Sequence, residues 1–551
     1  MIYTDKELAQ LTIVYCKAYA VEHVVISPGS RNAPLIVGFV NDSNFKTYTV
    51  VDERSAAFFG LGIAQQTGKP VALVCTSGSA LLNYYPAIAE AYYSNIPLVV
   101  ISADRPKHLI DIGDGQTIRQ ENVFSNHILY SANLTEGSAY DKTNISLLTE
   151  ALTIATELQG PVHINAPFDE PLYNTTDRLK VSIPENPVKR PASIDFDIDR
   201  FAVAWNGASK KMILLGSNPP DRFLENQLAV LAQDESVLVL TETTSNVHYP
   251  EFVSNIDQLI FPLNEDELKK FRPELLVTLG GMIVSKKIKQ VLRNHQPDQH
   301  WHIDRKTGLD TYHCLTDHIK TTPADFFKEL IKVTKPVTGD YKKDWLNLRN
   351  LRKSRHKEYA AGIPFSDFRV FDLLLKSIPR NSMLQLGNSS VIRYHQLFDS
   401  SPSLKVFCNR GTSGIDGSTS TAVGAACCTT RQTVFITGDI SFFYDSNALW
   451  NNYLKTDFRI IVINNGGGGI FRFIPGPQST NALSYFEAPH TLNARNLCEM
   501  FDISYQVAAS EAELKEVLDG FYQDTGRTKL LEIFTPRELN DKILRDYFKF
   551  L

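Results

Sequence analysis

Short apolar runs rich in β-branched residues recur along the chain, and stretches of helical length separate them. The first such runs span residues 24–27, 48–52, 71–76, 98–103 and 162–166. Strands that alternate with helices form parallel sheets covered by helices on both faces, so the pattern predicts a doubly wound parallel α/β fold. The pattern continues at residues 212–216, 237–241, 275–280, 300–304, 383–387, 406–409, 434–437, 460–464 and 530–534.

The length of the chain predicts more than one domain. A chain of 551 residues exceeds what one hydrophobic core usually organises. The periodicity fails in a proline-bearing stretch at 183–194 and in a polar, lysine-rich stretch at 332–343. We therefore expect three α/β domains, at residues 1–182, 195–335 and 355–551, of which the first and third look alike in plan.

Composition excludes several classes of partner. The chain has 56 Lys plus Arg against 61 Asp plus Glu, a net charge of -5, so it offers no electrostatic reason to bind nucleic acid or an anionic membrane. Its seven cysteines show no CxxC spacing, which favours reduced thiols. Residues 1–7 lack a signal-peptide pattern, and no apolar run approaches the ~20 residues of a membrane span. We expect a cytoplasmic protein.

Two polar motifs follow neighbouring runs in the third predicted domain. Gly438-Asp439-Ile440-Ser441 follows the run 433–437, and Asn465 with Gly466–Gly469 follows the run 460–464. A predicted helix at 445–454 lets the two strands lie side by side, so the motifs meet where parallel strands end. A carboxylate, an amide oxygen and a glycine carbonyl suit Mg²⁺ held with a diphosphate. Each motif alone is more typical of an ordinary turn, but their combination favours the metal.

These two motifs resemble the signature of the thiamine-diphosphate enzyme family, in which Gly-Asp-X is followed further along by Asn-Asn, here Asn464-Asn465. The resemblance implies thiamine diphosphate and Mg²⁺, or Mn²⁺, as cofactors. It assigns Asp439, Asn465 and the carbonyl of Gly467 to the metal. The residues that the family places around the diphosphate are then Gly438, Asp439, Ile440 and Ser441, with Ile440 replacing the small residue usual in the family.

A carboxylate in the first predicted domain matches a second position of the family. Glu53 follows Asp52 at the end of the run 48–52. In the family this carboxylate exchanges a proton with the aminopyrimidine of the cofactor and so activates it. The alternative is that Glu53 only pairs with Arg54 at the start of a helix.

The segment Ser77-Gly78-Ser79, which opens a predicted helix at 80–93, also resembles the first domain of the family. In the family, the pyrimidine-binding domain of one subunit faces the diphosphate-binding domain of another. The resemblance therefore implies a homodimer or homotetramer with active sites between subunits. The alternative is that the tyrosines and small residues of this helix belong to the core.

A closer resemblance covers essentially the whole chain. It is to the branch of the family that joins 2-oxoglutarate to isochorismate in menaquinone biosynthesis. Its hallmarks appear at 27–31, 103–106, 116–120, 387–393, 409–417 and 469–471. The resemblance implies contacts with isochorismate by Ser30, Arg31, Arg105, Gln116 and Lys286; contacts with the succinyl carboxylate and the cofactor by Ser389, Arg393 and Arg410; support of the cofactor by Ile415; and an apolar wall of Ile470, Phe471 and Ile474.

The arginines suit these substrates, because both are dicarboxylates and arginine binds a carboxylate with charge and bidentate geometry. Each arginine taken singly has an alternative as an ion-pair partner at a surface or between domains. Lys286, beside Lys287, has an alternative as part of a solvated face. The isoleucines and Phe471 have an alternative in core packing.

The resemblance implies a transferase that decarboxylates 2-oxoglutarate and adds the remaining succinyl fragment to isochorismate by 1,4-addition. None of the 13 histidines neighbours another, which favours carboligation over the simple decarboxylation associated with a His-His pair. One alternative is a ligase of smaller 2-oxo acids, similar to acetolactate synthase. Another is a catalytically silent homologue that keeps the fold.

Overall fold

The computed structural model of the protein describes residues 2–137, 140–182, 196–474 and 476–551. It divides into two compact units. The first unit contains the described residues of Met1–Pro191 with Asn409–Arg431 and Ser441–Phe458, and the second contains those of Ala192–Cys408 with Gln432–Ile440 and Arg459–Leu551. The predicted linker 183–194 lies outside the described residues, and the boundaries of the three domains stay a prediction.

The first unit is built on a six-stranded parallel sheet with the order β3-β2-β4-β5-β7-β6, beside a separate antiparallel pair of β1 and β8. The strands are β1 (Tyr3–Thr4), β2 (His23–Ile26), β3 (Lys46–Thr49), β4 (Val71–Cys75), β5 (Leu98–Asp104), β6 (Tyr130–Asn133), β7 (Val162–Pro167) and β8 (Thr175–Thr176). The helices are α1 (Glu7–Ala18), α2 (Ala33–Val40), α3 (Glu53–Thr67), α4 (Ser79–Asn83), α5 (Tyr85–Ser94) and α6 (Asp141–Leu158).

The second unit contains two parallel sheets. In the first of them five strands have the order β10-β9-β11-β12-β13. Its strands are β9 (Lys211–Leu215), β10 (Val237–Leu240), β11 (Leu275–Leu279), β12 (Gln299–Ile303) and β13 (Asp317–Ile319). Its helices are α7 (Ile198–Gly207), α8 (Arg222–Leu231), α9 (Ile256–Ile260), α10 (Glu265–Phe271), α11 (Lys286–Asn294) and α12 (Pro323–Val333), and α13 (Tyr341–Gly362) leads to the next sheet.

The last sheet has six parallel strands in the order β15-β14-β16-β17-β19-β18. Its strands are β14 (Met383–Leu386), β15 (Lys405–Cys408), β16 (Thr433–Gly438), β17 (Arg459–Asn464), β18 (Ser504–Ala508) and β19 (Lys529–Phe534). The helices of this part of the chain are α14 (Asp367–Ser377), α15 (Ser390–His395), α16 (Ser418–Ala426), α17 (Asp439–Tyr444), α18 (Ile470–Phe473), α19 (Leu483–Glu487), α20 (Arg495–Met500), α21 (Glu511–Phe521) and α22 (Asn540–Phe550).

The first and last sheets have the same strand order, as the sequence predicts, because each places its six strands in the sequence second, first, third, fourth, sixth and fifth. Their inner strands are buried along their whole length, as in β4 and β17. Helices on both faces require this continuous apolar character. The doubly wound parallel α/β fold is thereby confirmed.

Helices α3 and α16 pack closely within the first unit. A Cβ atom on Gly62 would lie 2.1 Å from the carbonyl oxygen of Thr421, and one on Gly424 would lie 2.0 Å from that of Phe59. Only glycine allows two backbones to approach this closely. The residues 409–431 are thus held firmly against the helix that begins at Glu53.

Two predicted helices differ from the structure. The predicted helix 80–93 is divided into α4 and α5, because Pro86 at the start of α5 cannot continue a preceding helix. The predicted helix 445–454 is wrong: α17 ends at Tyr444, and only the short 3₁₀ turn Ser446–Leu449 follows.

Among the helices of the described ranges, none is long and apolar enough to cross a membrane.

Candidate active site

The carboxyl ends of β16 and β17 meet in the second unit, as the two motifs predict. The strands are parallel neighbours, and Gly438 lies opposite Ile463. One carboxylate oxygen of the buried Asp439 accepts the N–H of Ile440 at 2.7 Å, and the other accepts those of Gly466 and Gly467 at 2.9 and 3.0 Å. Burial raises the pKa of Asp439, and these N–H donors oppose the rise. Asp439 therefore joins both strand ends in one site.

Asn465 follows β17, and within the described ranges only one of the two polar atoms of its side-chain amide has a hydrogen-bond partner. Its Nδ2 donates to Asp367 at 3.1 Å. Its Oδ1 is buried and has no hydrogen-bond partner among the residues that the structure describes. A buried acceptor in this state is rare and indicates a group that the protein atoms alone do not supply.

The donor set at this site fits a hard cation. Asp439 provides a carboxylate, Asn465 provides the unpaired amide oxygen, and the backbone of Gly467 adopts a φ of 147° that favours glycine. The carbonyl of Gly467 accepts the N–H of Gly469 at 2.9 Å. Within the described ranges there is no group of three or more His, Cys, Asp and Glu able to hold a metal. A set of few oxygen ligands instead suits Mg²⁺, which keeps water and phosphate oxygens in its other positions.

Glu53 is the first residue of α3 in the first unit, and the strand before it is shorter than predicted. β3 ends at Thr49 because Asp52 caps the helix, accepting the N–H of Ser55 at 2.9 Å. Burial raises the pKa of Glu53, and the negative charge of Asp52 adds to the rise. A raised pKa favours the protonated form of the carboxyl group, which can then donate a proton as well as accept one.

Arg54 is turned away from Glu53. Its Nη2 donates to the carbonyl of Tyr444 at 2.9 Å, and its guanidinium lies 4.7 Å from the centre of the Tyr444 ring. These contacts engage Arg54 within the first unit. They do not favour the alternative in which Glu53 only neutralises its neighbour.

A buried glutamine organises the loop before α4. Gly78, with a φ of 92°, donates its N–H to Oε1 of Gln120 at 2.9 Å. The Nε2 of Gln120 donates to the carbonyl of Ala103 at 3.1 Å and to Oδ1 of Asn165 at 2.9 Å. Gln120 lies inside a motif of the sequence, but the motif alone did not single it out.

The predicted substrate arginines of the first unit are engaged by the protein itself. Arg31 is buried, donates to the carbonyl of Phe168 at 2.9 Å and lies 3.3 Å from the carboxylate of Glu170. Arg105 donates to the carbonyl of Gly115 at 3.0 Å and lies 3.4 Å from Asp114. In this structure both have the ion-pair arrangement of the alternative interpretation.

The other predicted residues of the first unit are spread over separate loops. Ser30 is exposed, and Gln116 has a φ of 56° and lies against Gly78. Arg410 is buried in the segment before α16. The hydroxyl of Ser441 donates to the carbonyl of Ile415 at 2.7 Å, and the Ile415 side chain is 38% exposed, which leaves it able to contact a ligand.

Four predicted substrate residues line one cavity of about 480 Å³ in the second unit: Lys286, Arg393, Ile470 and Ile474. Lys286 begins α11, beside the five-stranded sheet of β9–β13, which we call the central sheet. The other three lie in or directly after helices beside the last sheet: Arg393 in α15, and Ile470 and Ile474 at α18. The rest of the lining mixes apolar and charged side chains: Asp257, Phe261, Val284, Lys287, Gln290, Asp367, Ser390, Tyr394, Leu397, Gly469, Phe473, Asn540, Asp541, Leu544, Arg545 and Phe548. A cavity of about 610 Å³ elsewhere in this unit contains none of the predicted residues.

Arg393 contacts Ser389 through the serine backbone. Ser389 precedes α15 with a φ of 66°, and its carbonyl accepts from Nη1 of Arg393 at 2.6 Å. The serine that lines the cavity is the next residue, Ser390. Phe471 also lies outside the lining, and its ring packs 5.5 Å from that of Phe486.

Comparison with known proteins shows the family of the chain. Residues 6–128 match the thiamine pyrophosphate enzyme, N-terminal TPP binding domain, and residues 386–533 match the C-terminal TPP binding domain. Proteins named 2-succinyl-5-enolpyruvyl-6-hydroxy-3-cyclohexene-1-carboxylate (SEPHCHC) synthase from Flavobacterium psychrophilum and Flavobacterium johnsoniae are each 52% identical to the chain, over 100% of both partners. One from Porphyromonas gingivalis is 37% identical over 100% of this chain and 98% of its own.

The chain belongs to the SEPHCHC synthase family. It is therefore a thiamine-diphosphate-dependent enzyme, and Asp439 and Asn465 lie within the matched C-terminal binding domain, as Glu53 lies within the N-terminal one. The central sheet lies outside both matched ranges. In the part of the chain that the structure describes, the region around this sheet reaches the cavity through α9, α11 and the residues beside them: Asp257, Phe261, Val284, Lys286, Lys287 and Gln290.

Several cavity residues were not predicted. Asp367 is buried, accepts from Asn465 and from Thr535 at 2.6 Å, and has a pKa that burial raises to about 6. Its only signal in the sequence is a helix start after Ser366. The α22 residues that line the cavity, such as Arg545, belong to an ordinary amphipathic helix, and no pattern distinguishes them from the core.

Proposed function

We propose that this member of the SEPHCHC synthase family decarboxylates 2-oxoglutarate and adds the succinyl fragment to isochorismate, giving SEPHCHC and CO₂ in menaquinone biosynthesis. The observation that carries the proposal is the cavity, whose lining contains both Arg393 and Lys286 together with Ile470 and Ile474. Cationic side chains beside apolar ones suit substrates that combine carboxylates with a carbon skeleton.

Thiamine diphosphate, when bound, supplies the electron sink that decarboxylation of a 2-oxo acid requires. We assign Asp439, Asn465 and the carbonyl of Gly467 to the Mg²⁺ or Mn²⁺ that holds its diphosphate, because Asn465 has a buried oxygen in need of a partner. We assign Glu53 to proton exchange with the aminopyrimidine. Its raised pKa supports this role, since the best proton-exchanging groups titrate near the working pH.

The cavity residues bind and orient the substrates in this proposal. Arg393 holds the distal carboxylate of 2-oxoglutarate, and Lys286 holds a carboxylate of isochorismate. The apolar side chains exclude water, so the succinyl fragment meets isochorismate before it meets a proton donor. We further propose a cytoplasmic homodimer or homotetramer, in which Arg31, Arg105 and Gln116 contribute from the pyrimidine-binding side.

Substrate choice tests the proposal. The full chain, with thiamine diphosphate and Mg²⁺, is assayed for kcat/KM with 2-oxoglutarate and with pyruvate, using isochorismate as acceptor and mass spectrometry of the product. Because a charge pair of this kind is typically worth about 2 to 5 kcal/mol, 2-oxoglutarate should be preferred by about 30-fold or more.

Preference for pyruvate would instead support a ligase similar to acetolactate synthase. A chain that binds the cofactor but turns over neither substrate would be a silent homologue. Either result would overturn the proposed function.

A further inference from the structure

Lys286 and Arg393 reach the cavity from helices that lie beside different sheets of the second unit. Lys286 begins α11, directly after the loop that follows β11, and Arg393 lies in α15, directly after β14. Their separation must be fixed if both are to bind carboxylates at once. The following inference rests on the proposed function, because it asks what fixes that separation.

A single buried carboxylate bonds to the turn before α11 and to the residue after α15. Glu242 lies just after β10 and is 3% exposed. Its Oε2 accepts the N–H of Val284 at 2.6 Å, and its Oε1 accepts the N–H of Ser285 at 2.7 Å. The same Oε1 accepts from Nε2 of Gln396 at 3.3 Å, and Gln396 is the residue that ends α15. Glu242 thus bridges the start of α11 and the end of α15.

The residues that Glu242 holds lie close in the chain to the cavity cations: Ser285 adjoins Lys286, and Gln396 follows Arg393 by three residues. Ser285 precedes Lys286 and caps α11, since its Oγ accepts the N–H of Ile288 at 3.1 Å. The same hydroxyl donates to Asp257, which lines the cavity. A displacement of the Val284–Ser285 turn would therefore move Lys286 and disturb the cap of its helix.

Further bonds dock the loop after β10 on the last sheet. The hydroxyl of Thr243 lies 3.0 Å from Nδ1 of His395, and the side chain of Asn246 bonds both the N–H and the carbonyl of Val406 at 2.8 Å. The Glu242 carboxylate also accepts the N–H of Ser245 in this loop, but the contacts of Thr243 and Asn246 with the last sheet do not involve it. Loss of the Glu242 carboxylate should therefore alter the cavity locally and leave the second unit folded.

We propose that Glu242 is a positioning residue that fixes the distance between Lys286 and Arg393 and thereby sets how the cavity binds its two dicarboxylates. The carboxylate is well suited to this task because it accepts the backbone N–H groups of Val284, Ser285 and Ser245 and the side chain of Gln396, and charge-assisted bonds are the strong ones. If the carboxylate is removed, the buried N–H groups of Val284 and Ser285 lose their acceptor. The turn must then rearrange to give these two groups another acceptor.

The test compares Glu242→Gln with wild type in the full chain loaded with thiamine diphosphate and Mg²⁺. Glutamine keeps one acceptor oxygen but presents an NH₂ donor to a backbone N–H. Since small misplacements of binding groups cost up to about a hundredfold, KM for 2-oxoglutarate and KM for isochorismate should each rise about tenfold to hundredfold, with kcat within about threefold. The affinity for thiamine diphosphate should not change.

Glu274→Gln is the matched control. The carboxylate of Glu274 also accepts a backbone N–H, that of Ser209 at 2.7 Å, and the Ser209 hydroxyl at 2.9 Å, but it lies just before β11, at the opposite end of the central sheet. Its kinetics should stay within about twofold of wild type. Wild-type KM values in Glu242→Gln would overturn the proposal. An equal loss of kcat, both affinities and cofactor binding would also overturn it, because that indicates a general folding defect.

Hydrogen exchange separates this inference from the proposed function. Wild-type enzyme that fails to use 2-oxoglutarate with isochorismate contradicts the function alone. The amides of Val284 and Ser285 should exchange about tenfold faster in Glu242→Gln than in wild type whatever the substrates are, and should not change in Glu274→Gln. Unchanged exchange at both amides would overturn the positioning role even if the function stands.

Discussion

Replacing Arg393 by alanine should weaken use of 2-oxoglutarate far more than use of isochorismate. Removing one member of a desolvated charge pair costs about 2 to 5 kcal/mol. For Arg393 we expect a cost at the lower end of this range, because the guanidinium is shared with groups of the protein. Its Nη1 donates to the carbonyl of Ser389 at 2.6 Å, and its charge also acts on Asp257. We therefore expect a loss of about 2 to 3 kcal/mol, or about 30- to 150-fold in kcat/KM for 2-oxoglutarate.

Steady-state kinetics with each substrate varied in turn measures this effect. Arg393→Lys keeps the charge but loses the bidentate geometry, so its loss should be intermediate. Arg495→Ala is a control in the same unit, because its guanidinium lies 4.9 Å from the centre of the Tyr505 ring, among residues that do not line the cavity. Unchanged 2-oxoglutarate kinetics in Arg393→Ala would refute the assignment of the distal carboxylate to this arginine.

Asp439→Ala should abolish thiamine diphosphate binding in calorimetry while the circular dichroism spectrum stays that of the folded protein; unchanged binding would contradict the metal assignment. Glu53→Gln should bind the cofactor and lose about 10²- to 10⁴-fold in kcat, and near wild-type turnover would exclude proton exchange by Glu53. Burial raises the pKa of Asp445 from 3.8 to about 7. The unfolded chain loses this proton first, so wild-type stability should fall as pH rises from about 4 to about 7 relative to Asp445→Asn. Melting temperatures measure this, and a constant difference between the two proteins would contradict it.

The interior strands could be predicted from the sequence because helices cover both faces and require continuous apolar runs. The strands β6, β13 and β18 escaped prediction, and each lies at an edge of its sheet. These three strands are partly polar, so their sequences resemble loops. The edge strand β10 is apolar and buried along its length, and it was predicted.

The false helix at 445–454 has a related cause. In this stretch Asn447 donates its Nδ2 to Asp52 at 2.7 Å, and Asn451 donates to the carbonyl of Ala448. Asparagine side chains that bond to the backbone or to other side chains compete with helix formation. The local sequence does not show that a side chain has a hydrogen-bond partner such as Asp52, which is distant in the chain.

Site residues that directly follow a strand within a motif could be predicted from the sequence. Site residues that several elements bring together through packing could not. Asp439 and Asn465 meet as expected because parallel strands end at one edge. The resemblance assigns Arg393 and Lys286 to different substrates, and in the structure both line one cavity. Asp257, Asp367 and Arg545 join them through packing between sheets and helices, which no local sequence pattern predicts.

The release of CO₂ from 2-oxoglutarate, with and without isochorismate, tests the account most directly. The full chain is loaded with thiamine diphosphate and Mg²⁺, and CO₂ and the adduct are quantified together. The account predicts slow release without isochorismate, and with it the formation of CO₂ and SEPHCHC in equal amounts. Release that isochorismate does not change, or faster release from pyruvate than from 2-oxoglutarate, would contradict it.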